Sequence, residues 1–192
     1  MAGKDEKVKK LIEFQDEVEA CEKCFYKSGR KVLFGDGNID AKIMSIGEAP
    51  SIVIPSGTNM PVFGNKSNPI YENFLEIIGE TRKTVWTTNC VKCALVGLQA
   101  GESDKCKKFI CREIEIISPE WVIIFGKVAK STVLGAPLGY NQIMKTDKRK
   151  YLAMPHPMFA SYGRDNLEMF LNLSKQVNTY LHVTGVPCQT VL

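Results

Sequence analysis

The sequence has no long hydrophobic run. Its longest apolar stretches, such as WVIIFG at 121–126, fall far short of the roughly 20 residues that cross a bilayer, so no membrane segment is expected. The charged start MAGKDEKVKK has no apolar stretch behind it; no signal peptide is read there, and the expected location is the cytoplasm. There is no internal repeat and no low-complexity linker. At 192 residues the expectation is one domain over 1–192. Neither sign of charge dominates: 25 Lys and Arg against 21 Asp and Glu give a net +4, which permits a polyanionic partner without requiring one. Histidine is scarce, with only two.

Cysteine is what the chain does have. Seven is an odd number, and a reducing compartment makes disulfides a poor explanation, so metal binding is the better use for paired thiols. CEKC brings Cys21 and Cys24 together at knuckle spacing, and NCVKC supplies Cys90 and Cys93. Positions three apart at a strand end point to opposite faces, so joint chelation by Cys90 and Cys93 needs a tight turn. Cys106 and Cys111, five apart on a helix, share no face. The set Cys21, Cys24, Cys93 and Cys106, with gaps of 68 and 12 residues, leaves Cys90, Cys111 and Cys188 as small apolar side chains. Spacing alone leaves zinc, an iron–sulfur cluster and simple burial all open.

Hydrophobic periodicity organises the rest. Residues 5–20 read as a helix through Val8, Leu11, Ile12 and Val18, and 69–79 as another between Pro69 and Gly79. Ser103–Ile117 reads as one helix, with Ser103 as N-cap and Cys106, Phe109, Ile110, Ile114 and Ile117 on one face. A short helix at 127–134 and a closing one at 165–181 complete the set. Strands are expected at 42–47, 85–92, 120–126 and 150–157. This alternation predicts an α/β fold: three αβα layers around a central four-stranded, mainly parallel sheet. Ligands in such folds bind beyond the carboxyl ends of the strands, which directs attention to the loops after 46, 88 and 154.

In those loops the residues become familiar. GEAP (47–50), PVFG (61–64), NCVKC (89–93), then Cys106, Phe109, Ile110, Glu113, Ile114, Pro119 and Gly126, and finally HP (156–157) occur in that order. Together with CEKC the ordered set resembles the family 4, iron–sulfur, uracil-DNA glycosylases over about residues 20–175. The resemblance implies a uracil-DNA glycosylase-like fold and a monomeric base-excision repair enzyme. Its partner would be DNA containing uracil or another damaged base. It also implies a structural [4Fe-4S] cluster on Cys21, Cys24, Cys93 and Cys106. By position, Glu48 falls in the water-activating region, Asn89 reads the uracil edge and His156 stabilises the uracil anion. Gly47, Ala49, Val62 and Phe63 would complete the base pocket.

The chain departs from the family pattern in places. Ser51 stands where the family has Gly, the acidic pair after it is missing, and Val62 occupies the position of the base-stacking aromatic, with Phe63 one residue later. After HP the sequence runs MFASYGRD, making Met158, Phe159 or Tyr162 a DNA wedge and Arg164 a phosphate contact. MKTDKRKY (144–151) adds Lys148 and Arg149 as candidate phosphate contacts. These changes keep two alternatives in play: a glycosylase for another base such as hypoxanthine, and a non-catalytic relative that binds nucleic acid or protein.

Overall fold

Strand and helix signals alternate along the chain, and the backbone follows them. The computed structural model describes residues 2–24, 31–50, 66–94, 102–135, 138–183 and 189–190. The first half holds α1 (Ala2–Glu19), β1 (Lys31–Val32), β2 (Asp36–Gly37), β3 (Ile43–Gly47), α2 (Asn68–Ile77), β4 (Trp86–Asn89) and β5 (Cys93–Ala94). The second half holds α3 (Glu102–Lys105), α4 (Lys107–Ile117), β6 (Trp121–Phe125), α5 (Lys127–Leu134), β7 (Ile143–Lys145), β8 (Lys150–Met154), α6 (Pro157–Ala160), α7 (Arg164–His182) and β9 (Gln189–Thr190).

Side chains alternate across the strands and fill two cores. From β6, Trp121, Ile123 and Phe125 join Tyr71 and Phe74 of α2 and Phe170 and Val177 of α7. Val122 and Ile124 turn the other way, towards Ile110, Ile114 and Ile117 of α4 and Ala129 of α5. With helices on both faces, β3 and β6 are buried at every position, as parallel strands covered on both sides must be. The three αβα layers are those expected.

The sheet is larger than the four strands expected. Its order is β2-β4-β3-β6-β8-β7-β9. The four expected strands form the parallel centre, β4-β3-β6-β8, and the added edge strands are only two or three residues long. Segments that short carry too little alternation to read from sequence. Separately, β1 pairs antiparallel with β5 and lays residues 31–32 against Cys93 and Ala94.

Two helices differ from expectation. The single helix over Ser103–Ile117 is broken at Cys106 into α3 and α4, and Ser103 is buried within α3 instead of capping it. On α1 the buried face is Phe14 and Val18 with Leu11 beside them, packed against Phe109 of α4, while Val8 and Ile12 stand exposed. At its far end α4 stops where Ser118 turns left-handed (φ 54) just before Pro119.

The register sets the functional edge. Gly47 lies opposite Asn89, Ile46 opposite Ile124, and Phe125 opposite Met154. All four central strands therefore end level, and their outgoing loops share one rim.

Candidate active site

Glu48 is the first residue beyond β3, and backbone hydrogen bonds hold both it and Gly47 before it. Cys90 N–H donates to the Gly47 carbonyl and Val91 N–H to that of Glu48, both at 2.9 Å, so the chain leaving β4 is bound to the chain leaving β3. Burial raises the Glu48 carboxyl above the usual carboxylate value.

Asn89 ends β4 and is 4% exposed. Its Nδ2 is buried without a hydrogen-bond partner among the described residues. A buried amide donor in that condition is costly unless something arrives to accept from it.

On the other side of Glu48, β8 runs through Pro155 into His156. His156 has extended backbone (φ −66, ψ 140), and its Nδ1 accepts the Met158 backbone N–H at 3.1 Å. Burial pushes the imidazole down to about 4, so the ring is neutral near pH 7. With Nδ1 acting as acceptor, the neutral ring carries its proton on Nε2 and is a donor there. Gly126, after β6, makes this placement possible. Its φ of +94 suits glycine, and a Cβ on it would lie 3.3 Å from the His156 Cβ. Its N–H donates to the Met154 carbonyl at 2.9 Å and ties the β6 and β8 ends together.

Glu48 and His156 line one cavity of about 290 Å³, together with Gly126, Lys127, Tyr140 and Phe159. Asn89 is not among its lining residues. The strand order explains this, because β4 lies on one flank of β3 while β6 and β8 lie on the other. Glu48 thus stands between the Asn89 amide and the His156 ring.

The remaining candidates fall into distinct places. Gly47 is buried in β3, whereas Ala49 packs against the cysteine-bearing core. Val62 and Phe63 lie outside the described residues. On the short helix α6, Phe159 reaches the cavity, and Ser161 Oγ contacts Met158 at its carbonyl (2.7 Å) and its sulfur (3.2 Å). Tyr162 is the outward-facing aromatic, 74% exposed, two residues before exposed Arg164. Lys148 and Arg149 are not brought to this rim. They precede β8 at its amino end and pair with Glu115 of α4 at 3.4 and 3.0 Å, Arg149 being buried.

Cys21, Cys93 and Cys106 meet at one apolar cluster between α1 and α4. Cys93 and Cys106 are buried in one apolar cluster with Phe14, Val18 and Phe109, and Cys21 packs against it. Burial pushes the Cys106 thiol up; the Lys92 backbone N–H opposes that shift, and Cys24 and Cys93 add to it. Cys90 faces the other core beside Ala129, its thiol driven up to about 12 by burial, and Cys111 is exposed on α4. Among the described residues, no three His, Cys, Asp or Glu side chains stand where they would hold a single metal ion.

Sequence reasoning overlooked Lys92 and Glu113. They are 21 residues apart in the chain yet form a buried ion pair directly behind Asn89. The signal available was the Lys of NCVKC, a charged residue amid an apolar strand end.

Known proteins share part of this sequence. The chain is 34% identical over 125 residues to the type-4 uracil-DNA glycosylase of Saccharolobus solfataricus, covering 60% of this chain and 55% of that protein. Identity is 27% over 169 residues to the Sulfurisphaera tokodaii protein of that name, and 26% over 172 residues to the Thermotoga maritima one. These matches cover 80% and 81% of this chain and 76% and 86% of those proteins. The family model for the uracil DNA glycosylase superfamily matches residues 34–181, a span that takes in the three strand-end loops, α4 and all but the last residue of α7. The chain belongs to the uracil DNA glycosylase superfamily.

Proposed function

We propose that this protein excises uracil from DNA by hydrolysing the N-glycosidic bond, leaving an abasic site. The observation that carries the reading is the pairing of an unsatisfied buried Asn89 amide with a neutral, Nε2-protonated His156 on either side of Glu48. A base must leave the duplex stack to be cut, and its polar edge must then be read. The Asn89 amide offers a donor and an acceptor, which matches the neighbouring carbonyl and imide N–H of uracil. As the bond to the sugar lengthens, negative charge collects on the base oxygens and positive charge on the sugar. A neutral His156 donates to that charge without forming a tight ion pair with the ground state, so its stabilisation grows towards the transition state. Glu48 positions and deprotonates the attacking water. The electrons of the broken bond leave with the base, which then takes up a proton.

A [4Fe-4S] cluster on Cys21, Cys24, Cys93 and Cys106 fits the thiols. A four-iron cube would take one thiolate from each of these residues, and its irons would favour the thiolate form that burial of Cys106 disfavours. Such a cluster would supply a structural clamp between the α1 end, the β4 exit and the start of α4. Tyr162 serves as the DNA wedge, and the substrate is uracil-containing DNA.

The test is incubation with oligonucleotides carrying uracil, hypoxanthine or hydroxymethyluracil, followed by alkali. Cleavage of the uracil strand alone, lost in Asn89→Ala and His156→Ala, is the expected result. Binding without cleavage of any strand would contradict the reading.

A further inference from the structure

Behind Asn89 lies a charged cluster that the chemistry above does not use. Lys92 is 1% exposed and Glu113 is wholly buried. The Lys92 ammonium uses its three protons on Thr88 Oγ1 (2.8 Å), the Asn89 carbonyl (2.7 Å) and Glu113 Oε2. Glu113 also accepts from Trp86 Nε1 and Thr88 Oγ1, each at 3.0 Å. Every polar atom in this set has a partner. The chain over it is shaped to fit, since a Cβ on Gly35 would fall 2.3 Å from both Glu113 Oε1 and Trp86 Nε1.

Burying an ion pair is rarely the most stable filling for such a space, because apolar side chains of similar volume often serve as well. What the charges add is direction. The Asn89 carbonyl is fixed by an ammonium instead of by water. The Lys92 carbonyl in turn accepts from Leu33 N–H at 2.7 Å. Lys92 therefore holds the strand end that carries the amide through both its side chain and its backbone.

We infer that Lys92 and Glu113 are a positioning pair that holds the Asn89 amide in reading geometry before the base arrives. This rests on the proposed excision of uracil. Removing one charge alone leaves the other buried and unpaired, so the informative protein is the neutral pair Lys92→Met with Glu113→Gln, whose amide oxygen accepts from Trp86 Nε1 and whose amide N–H is accepted by the Thr88 hydroxyl. Single-turnover cleavage of a uracil oligonucleotide is expected to fall about 100-fold, the order reached by an ångström-scale misplacement. Added to Asn89→Ala, the same pair is expected to cost less than about 3-fold, because both changes remove one interaction. In the paired variant, amide exchange at Cys90 and Val91 is expected to accelerate while exchange in β3 and β6 stays at the wild-type rate.

Equal losses with and without Asn89→Ala would overturn the inference. So would unchanged exchange at Cys90 and Val91, or loss of bound iron in step with activity. A wild-type protein that cleaves no uracil strand would sink the proposed function instead, and the exchange measurement would still decide whether the pair holds this strand end.

Discussion

The proposed excision chemistry needs groups in particular protonation states, and here burial supplies them. His156 titrates near 4 in the folded chain against an ordinary 6.5. The unfolded chain therefore takes up the proton first on acidification, so the neutral ring costs stability as pH falls from about 6.5 towards 4. The gap in unfolding free energy between wild type and His156→Gln is expected to shift against wild type over that window, in urea titrations at pH 7 and pH 5. Catalysis should not lose its acid limb to His156 above pH 5. Glu48, raised by burial and lining the same cavity with Lys127, is the group whose protonation should switch activity off. Glu48→Gln is expected to lower kcat by about 10²–10⁴, the usual contribution of a positioned base, and to flatten the acid limb of the pH–rate profile. An acid limb persisting unchanged in Glu48→Gln would assign the switch elsewhere. At this scale Glu48, Asn89 and His156 were legible because each directly follows or ends a readable strand. Lys92 and Glu113 were not, since their pairing exists only once α4 lies against β4. The burial of Arg149 on Glu115 was not legible, because a basic run looks the same whether it faces solvent or folds onto a carboxylate.

Between elements, the contact of α1 with α4 is the least obvious from sequence and the most exposed to test. Phe14 is fully buried, edge-on to Phe109 with ring centroids 6.3 Å apart, and the Lys92 ammonium lies 5.9 Å from its ring centre. Glu17 reaches across to both Lys108 and Arg112, an exposed pair of bridges that adds little. Phe14→Ala should therefore cost about 3–5 kcal/mol in urea unfolding, as expected for a deleted buried aromatic. A loss below about 1 kcal/mol would mean that α1 is not anchored through this residue. The helix over Ser103–Ile117 was readable in extent and face but not in its break. Periodicity records which side is apolar, whereas the interruption at Cys106 is a local backbone event that leaves the apolar face on the same side. Edge strands of two or three residues were invisible for the simpler reason that alternation needs more length.

Across the whole molecule, one rim of the parallel sheet gathers Glu48, Asn89, Gly126 and His156, while Cys21, Cys93 and Cys106 lie in the cluster between α1 and α4. That division makes the cysteines separable by experiment. Cys93→Ser and Cys106→Ser should each abolish iron binding and the brown colour of the purified protein. Cys90→Ala, in the other core, should leave iron content unchanged. Iron retained in Cys93→Ser, or one zinc per chain in place of iron, would contradict the cluster. The account as a whole stands on the strand-end rim acting as a uracil-excising site. Its most direct test is the single-turnover cleavage rate of a uracil-containing oligonucleotide by wild type, Asn89→Ala and His156→Ala. The account predicts cleavage by wild type and losses of at least about 10²–10³ in each variant, the usual toll of removing one preorganised donor. Wild-type protein that leaves the uracil strand intact, or variants that cut as fast as wild type, would contradict it.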